Sequence, residues 1–193
     1  MLRRLIYPKV ETLLNQIAKF CAKRNITPDQ LTLAGLGLNL FAGWIYASGL
    51  IFLGGLMTLI AGLGDLLDGP LARYTGKVTR FGAFLDSTVD RYSDFFLFGG
   101  IAYYLANEGR WGWFLVALGI LLGAYVTSYT KARAESLISS CSVGFLERAE
   151  RILLLAFGSL IPPLFHFFLI LLLVGTHATA LQRIWFVRKS LIR

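Results

Sequence analysis

The chain has 193 residues, 56% of them hydrophobic, with a mean hydropathy of +0.64 and a net charge of +8. Apolar residues gathered in long blocks exclude an ordinary soluble domain. The basic residues fall between those blocks rather than in one patch, so the charge follows membrane topology and argues against nucleic-acid binding.

At the N-terminus, Ile6, Val10, Leu13, Leu14, Ile17 and Cys21 recur at helical spacing, while Lys9, Glu11, Asn15, Gln16, Lys19 and Lys23 fill the other side. The pattern predicts an amphipathic helix over 1–26, lying in the membrane interface as an anchor. Its basic start lacks the apolar core and small residues of a cleavable signal peptide. Thr27-Pro28-Asp29-Gln30 reads as a turn that opens the first span. Six apolar blocks follow: Leu31 to Gly49, Leu50 to Leu67, Phe81 to Leu105, Trp111 to Tyr129, Ile152 to Leu164 and Phe165 to Trp185. Each approaches the roughly 20 residues a bilayer core requires of a helix. The fifth is the shortest, ended by Pro162-Pro163. The expected fold is therefore all-α and integral to the membrane: one domain over 1–193, with a six-helix bundle over 31–187. Arg3, Arg4, Lys9, Lys19, Lys23 and Arg24 precede the first span, and further basic residues fill the second and fourth connections and the C-terminal end. The opposite connections hold only Arg110. By the positive-inside rule, both termini and the even-numbered connections face the cytoplasm.

Every aspartate except Asp29 lies between Asp65 and Asp94, at the ends of two apolar blocks on that cytoplasmic side. Carboxylates are costly at membrane depth, and a bound divalent cation is a reason to keep them there. On helices, Asp65 and Asp68 (i, i+3) share a face, as do Asp86 and Asp90 (i, i+4), with Asp94 one turn further. Two such faces make an all-oxygen cage suited to magnesium, manganese or calcium; zinc would recruit His or Cys. Gly69 and Gly82 allow close backbone approach, and Arg73 offers a forked phosphate donor. Together these residues point to phosphoryl transfer, with two metals neutralising a diphosphate. A structural alternative pairs the carboxylates with Arg73, Arg80 and Arg91 to hold helices together. A cation path is opposed by the cluster's confinement to one side, with no acidic relay beyond it.

The run from Asp65 to Asp90 fits D-x-x-D-G-x-x-A-R-x8-G-x3-D-x3-D at every fixed position. It resembles the CDP-alcohol phosphotransferases over essentially the whole chain, which implies six helices behind an interfacial one. The resemblance makes Asp65, Asp68, Asp86 and Asp90 ligands of two magnesium or manganese ions bridging the diphosphate of a CDP-linked lipid. It makes Asp90 the general base as well. It assigns Gly69, Ala72 and Arg73 to the nucleotide, with Gly82 giving room beside them.

Two further stretches, Phe84 to Arg91 and Ser128 to Glu135 with Gly144 to Arg151, are similar to those of the phosphatidylinositol-phosphate synthases. That likeness implies inositol phosphate as acceptor and places Asp29, Gln30, Leu31, Thr32 and Thr79 on the CDP-lipid. It also assigns the acceptor phosphate to Lys131, Arg133, Arg151 and a C-terminal arginine, Arg183 or the equally basic Arg188. Against it, topology alone puts basic residues here, Glu147–Arg151 reads as a helix surface pair, and Lys131 and Arg133 cannot share one helical face. Other acceptors (glycerol phosphate, serine or inositol) and a non-enzymatic cation carrier stay open. The family likeness further implies a homodimer.

Overall fold

A computed structural model describes residues 14, 16–65 and 67–192. Among them there is no strand; the elements are α1 (Pro28–Ala47), α2 (Ile51–Asp65), α3 (Asp68–Thr75), α4 (Arg80–Asn107), α5 (Trp111–Glu135), α6 (Arg148–Leu160), a 3-10 turn (Pro162–Leu164) and α7 (Phe165–Ile192). Most of the expected interfacial helix lies outside the described residues. Of that stretch, 16–23 are helical, and Ala18 and Cys21 pack on Leu71 of α3.

Six of the helices close into a ring. α4 packs on α1 and α5, α5 on α7, α7 on α6, α6 on α2, and α2 back on α1. The α1–α4 seam is backbone against backbone: a Cβ on Gly43 would strike the Phe96 carbonyl, and one on Gly100 the Gly43 carbonyl. Such glycine contacts let helices approach where lipid supplies no hydrophobic drive for association. At the centre, the buried Tyr46 hydroxyl meets Ser159 Oγ at 2.8 Å and accepts from Thr58 Oγ1 at 3.3 Å, tying α1, α2 and α6 together. Around this lie Leu97, Phe98, Ile101, Ile120, Leu155 and Leu169, all buried. The outer surface is apolar as well, with Leu33, Trp44, Leu115, Phe167 and Leu181 more than half exposed. Water would not tolerate a belt of this kind.

Three helical stretches, Ile51–Thr75, Trp111–Glu135 and Pro162–Ile192, are long and apolar enough to cross a bilayer. Of the other three expected blocks, those of α4 and α6 fall short for identifiable reasons. α4 carries Arg80, Asp86, Asp90, Arg91 and Asp94 in its first half. α6 has 13 residues, which at about 1.5 Å each reach only ~20 Å. Pro162-Pro163 sits in the 3-10 turn after α6, as expected of residues that cannot continue a helix. Arg110, before α5, lies 3.3 Å from His166 at the start of α7, so these two connections share the end of the bundle away from the aspartates.

Candidate active site

The helices that carry the aspartates do not run as the spacing predicts. α2 ends at Asp65 and α3 begins at Asp68, so the two are not one face of a single helix. Pro70 explains the break. It is tolerated only in a first helical turn, which forces a new helix to start just before it. α3 then ends at Gly76, whose φ of 66° lies in the left-handed region. α4 restarts behind Thr79, whose Oγ1 accepts from Gly82 N at 2.9 Å. Asp86, Asp90 and Asp94 follow on α4 at successive i, i+4 steps, as expected.

A cavity of about 320 Å³ opens between the N-termini of α1 and α4 and the flank of α3. Asp29, Thr32, Asp68, Gly69, Ala72, Arg73, Lys77, Thr79, Gly82 and Asp86 line it. Asp68 is fixed in its wall, accepting from Gly69 N at 2.6 Å and Thr32 Oγ1 at 3.3 Å. A Cβ on Gly82 would lie 3.1 Å from Thr79 Oγ1 and 3.5 Å from Asp29 Oδ1, so glycine keeps this corner open. Two helix N-termini and two cationic side chains suit the cavity to an anionic, phosphate-bearing ligand. Gln30 and Leu31 do not line it. The Gln30 side chain closes a capping box with Thr27 at the start of α1, and Leu31 packs near Leu71.

A second cavity, of about 260 Å³, lies on the other side of the aspartates. Asp90, Lys131, Glu147, Arg148, Arg151 and Arg183 are among its walls. Lys131 comes from α5, which continues to Glu135 and so carries basic residues expected in a connection. Arg133 points away from this cavity, toward Tyr129, Leu137 and Val187, and its Nη1 donates to Ser136 Oγ at 3.2 Å. Arg183, not Arg188, reaches the cavity; Arg188 lies beside Trp185 and Lys189. Buried Arg183 donates to the carbonyls of Thr127 (2.7 Å) and Val143 (2.9 Å) and to Glu147 (2.8 Å).

The ion pairs differ from those the spacing suggests. Arg73 and Arg80 pair with no aspartate among the described residues, and Arg91 stands 3.9 Å from Asp90. Arg148 does the bridging instead, its Nη1 lying 2.9 Å from Asp65 Oδ2 and 2.8 Å from Asp90 Oδ1. Arg151 meets Asp94 at 3.0 Å, both 1% exposed. Glu147 does not pair with Arg151; its Oε1 accepts from Lys131 at 3.1 Å and from Arg183 at 2.8 Å. Glu147, Arg148 and Asp94 are thus site residues that the sequence alone leaves in the background. Their signal is the charge run Glu147-Arg148-Ala149-Glu150-Arg151 entering an apolar helix.

The donors suit a hard divalent cation. Two carboxylate oxygens already converge on one cationic nitrogen, and Gly35 gives Asp65 its place, since a Cβ there would lie 2.5 Å from Asp65 Oδ1. As the side chains stand, no three acidic, His or Cys groups among the described residues gather around one point. The Arg148 guanidinium holds it. Among the described residues, buried polar atoms without partners concentrate here: Ser93 Oγ, Asp94 Oδ1, Arg148 Nε and Nη2, and Arg151 Nε. Each such atom costs about 1–3 kcal/mol unless an occupant satisfies it.

A helical bundle that sets aspartates between two polar cavities suits a membrane enzyme acting on phosphate-bearing substrates, and its relatives give the class. The family model for CDP-alcohol phosphatidyltransferase matches residues 25–187, and the chain belongs to that family, as an integral membrane enzyme. It is 38% identical to the archaetidylinositol phosphate synthase of Pyrococcus horikoshii, over 96% of each chain. Its fold is similar to that of Mycobacterium tuberculosis phosphatidylinositol phosphate synthase with CDP-DAG bound: TM-score 0.84, 32% identity, covering 91% of this chain and 94% of that one. The same enzyme in complex with manganese and citrate matches with TM-score 0.84 and 33% identity, covering 90% and 88%.

Proposed function

We propose that this enzyme transfers a phosphatidyl-type group from a CDP-linked lipid to inositol phosphate, releasing CMP and forming a phosphatidylinositol phosphate. One observation carries the reading: the single helical step from Asp86 to Asp90 joins a cavity fit for a diphosphate to a second one rich in cations. The named relatives point the same way, one named as a synthase of archaetidylinositol phosphate and one holding CDP-DAG.

Asp65, Asp68, Asp86 and Asp90 would hold divalent ions, magnesium or manganese and two in number, whose chemistry is to neutralise the diphosphate and favour attack on phosphorus. The first cavity seats the donor: Arg73 and Lys77 take the phosphate charge, and Gly69, Ala72 and Gly82 let the nucleotide approach the backbone. Asp29, Thr32 and Thr79 form the far wall. The second cavity orients the acceptor through its own phosphate, with Lys131, Arg151 and Arg183 as cations. Asp90 lies at the junction and serves as general base. It takes the proton of the acceptor hydroxyl as that oxygen bonds to the lipid-side phosphorus. The bond from this phosphorus to the bridging oxygen breaks, and CMP leaves with that oxygen and its electron pair.

In this reading, 1–193 forms one domain, all six ring helices cross the bilayer and the N-terminal segment lies in the interface. Both termini and the site face the cytoplasm, a reading that the basic connections support, and the enzyme works as a homodimer. The test is CMP release by purified protein with CDP-diacylglycerol and magnesium across a panel of acceptors. Release with inositol phosphate alone is the expected result. Release with glycerol phosphate or a neutral alcohol keeps the aspartate chemistry and removes the phosphate role of Lys131, Arg151 and Arg183.

A further inference from the structure

Two consecutive residues occupy the two charged sites at once. Arg148 places a cationic nitrogen between Asp65 and Asp90, where a metal shared by those carboxylates would sit. Glu147 places one carboxylate oxygen between Lys131 and Arg183, where an acceptor phosphate would sit. A magnesium or manganese ion bonds its oxygens at about 2.1 Å, so it cannot share that point with a guanidinium nitrogen. The same holds for a phosphate oxygen and the Glu147 carboxylate, since one anion must replace the other between the two cations. Arg148 hydrogen-bonds through Nη1 alone; its buried Nε and Nη2 make no hydrogen bond, although Nε stands 3.9 Å from Asp94 Oδ1 in a longer ion pair. Glu147 is half-exposed and has space to move.

We infer that Glu147 and Arg148 form a paired placeholder that couples metal binding to acceptor binding. Without ligands, each neutralises one site. A metal ion entering between Asp65 and Asp90 expels Arg148 and pulls the start of α6 outward. Glu147, one residue away, is drawn from Lys131 and Arg183 and leaves them for the incoming anion. An anion arriving first does the reverse, and by linkage the two effects are equal. The pair are positioning residues: they gate the site and touch no reacting atom. The inference rests on the aspartates being the metal site, but not on the identity of the acceptor.

The experiment is manganese binding, followed by electron paramagnetic resonance of the free ion, on the full-length protein in detergent. It is run with and without sulfate as a tetrahedral anion, against chloride at matched ionic strength. For the unaltered chain, sulfate should tighten manganese binding by about fivefold or more, the lower range of measured couplings. Arg148→Gln should bind manganese more tightly than the unaltered chain and lose the sulfate effect. Glu147→Gln, which lacks the carboxylate that sulfate would displace, should bind manganese without sulfate more tightly than the unaltered chain does and should lose the sulfate effect, and it decides the matter if Arg148→Gln does not fold. Equal or weaker manganese binding by folded Arg148→Gln, or a full sulfate effect in Glu147→Gln, overturns the inference. So does the absence of a sulfate effect in the unaltered chain. No manganese binding in any variant would overturn the metal reading of the aspartates, and this inference with it. Manganese binding without sulfate coupling would strike the placeholder alone.

Discussion

The two cavities are built on opposite plans. In the first, the cations wait: among the described residues neither Arg73 nor Lys77 is in an ion pair, and backbone caps shape the walls. In the second, the cations are already matched, Lys131 and Arg183 to Glu147 and Arg151 to Asp94. With the donor in the first cavity and the acceptor in the second, as proposed, the contrast has a reason: a lipid-borne donor arrives in two dimensions, tethered at high local concentration, and needs little beyond a ready seat. A soluble acceptor comes from water, where a deep set of bare arginines would be costly to bury without counter-ions.

The contrast can be broken by experiment, the largest effect first. Chelating divalent ions should abolish CMP release, with recovery on adding magnesium or manganese. Asp90→Asn should lower turnover by about 10²–10⁴-fold, the usual worth of a general base, while CDP-lipid binding stays largely intact. Asp65→Asn or Asp68→Asn should instead weaken metal-dependent donor binding, and equal binding losses in all three would remove the separate role of Asp90. Arg151→Ala should both raise the acceptor KM and destabilise the fold by about 3–5 kcal/mol, because Asp94 is left buried and unpaired; thermal unfolding in detergent reads the second effect. Arg73→Ala should raise the donor KM by roughly 10–100-fold, the loss of a charge-assisted hydrogen bond of about 1.5–3 kcal/mol, without changing thermal stability. A comparable loss of stability in Arg73→Ala would erase the difference between the cavities. Arg133→Ala should change the acceptor KM by less than about twofold, as expected of a surface residue directed elsewhere.

Much of this was readable beforehand because apolar blocks and carboxylate spacing are local signals. The i, i+4 step of Asp86, Asp90 and Asp94 survives in α4 because nothing between them breaks a helix. The i, i+3 step of Asp65 and Asp68 does not survive, and Pro70 was the sign that it would not. Gln30, which the family likeness places on the CDP-lipid, closes a helix capping box with its side chain, a role that Thr27 three residues earlier announces. What spacing could not give is the choice of partner across the bundle. Arg148 meets Asp65 from 83 residues away, and only the closure of the ring by α6 brings them together. Arg183 was separable from Arg188 only through its helix face, since both lie on the same apolar helix.

That closure has a consequence for biosynthesis. The aspartates leave the ribosome well before Arg148 and Arg151, which complete their charge balance, and Arg183 emerges later still. At ordinary translation rates the acidic helices wait on the order of seconds for their counter-charges. During that interval Asp65, Asp90 and Asp94 stand without the guanidinium groups that neutralise them in the closed ring, so the membrane core reaches its charge balance only once α6 has been made.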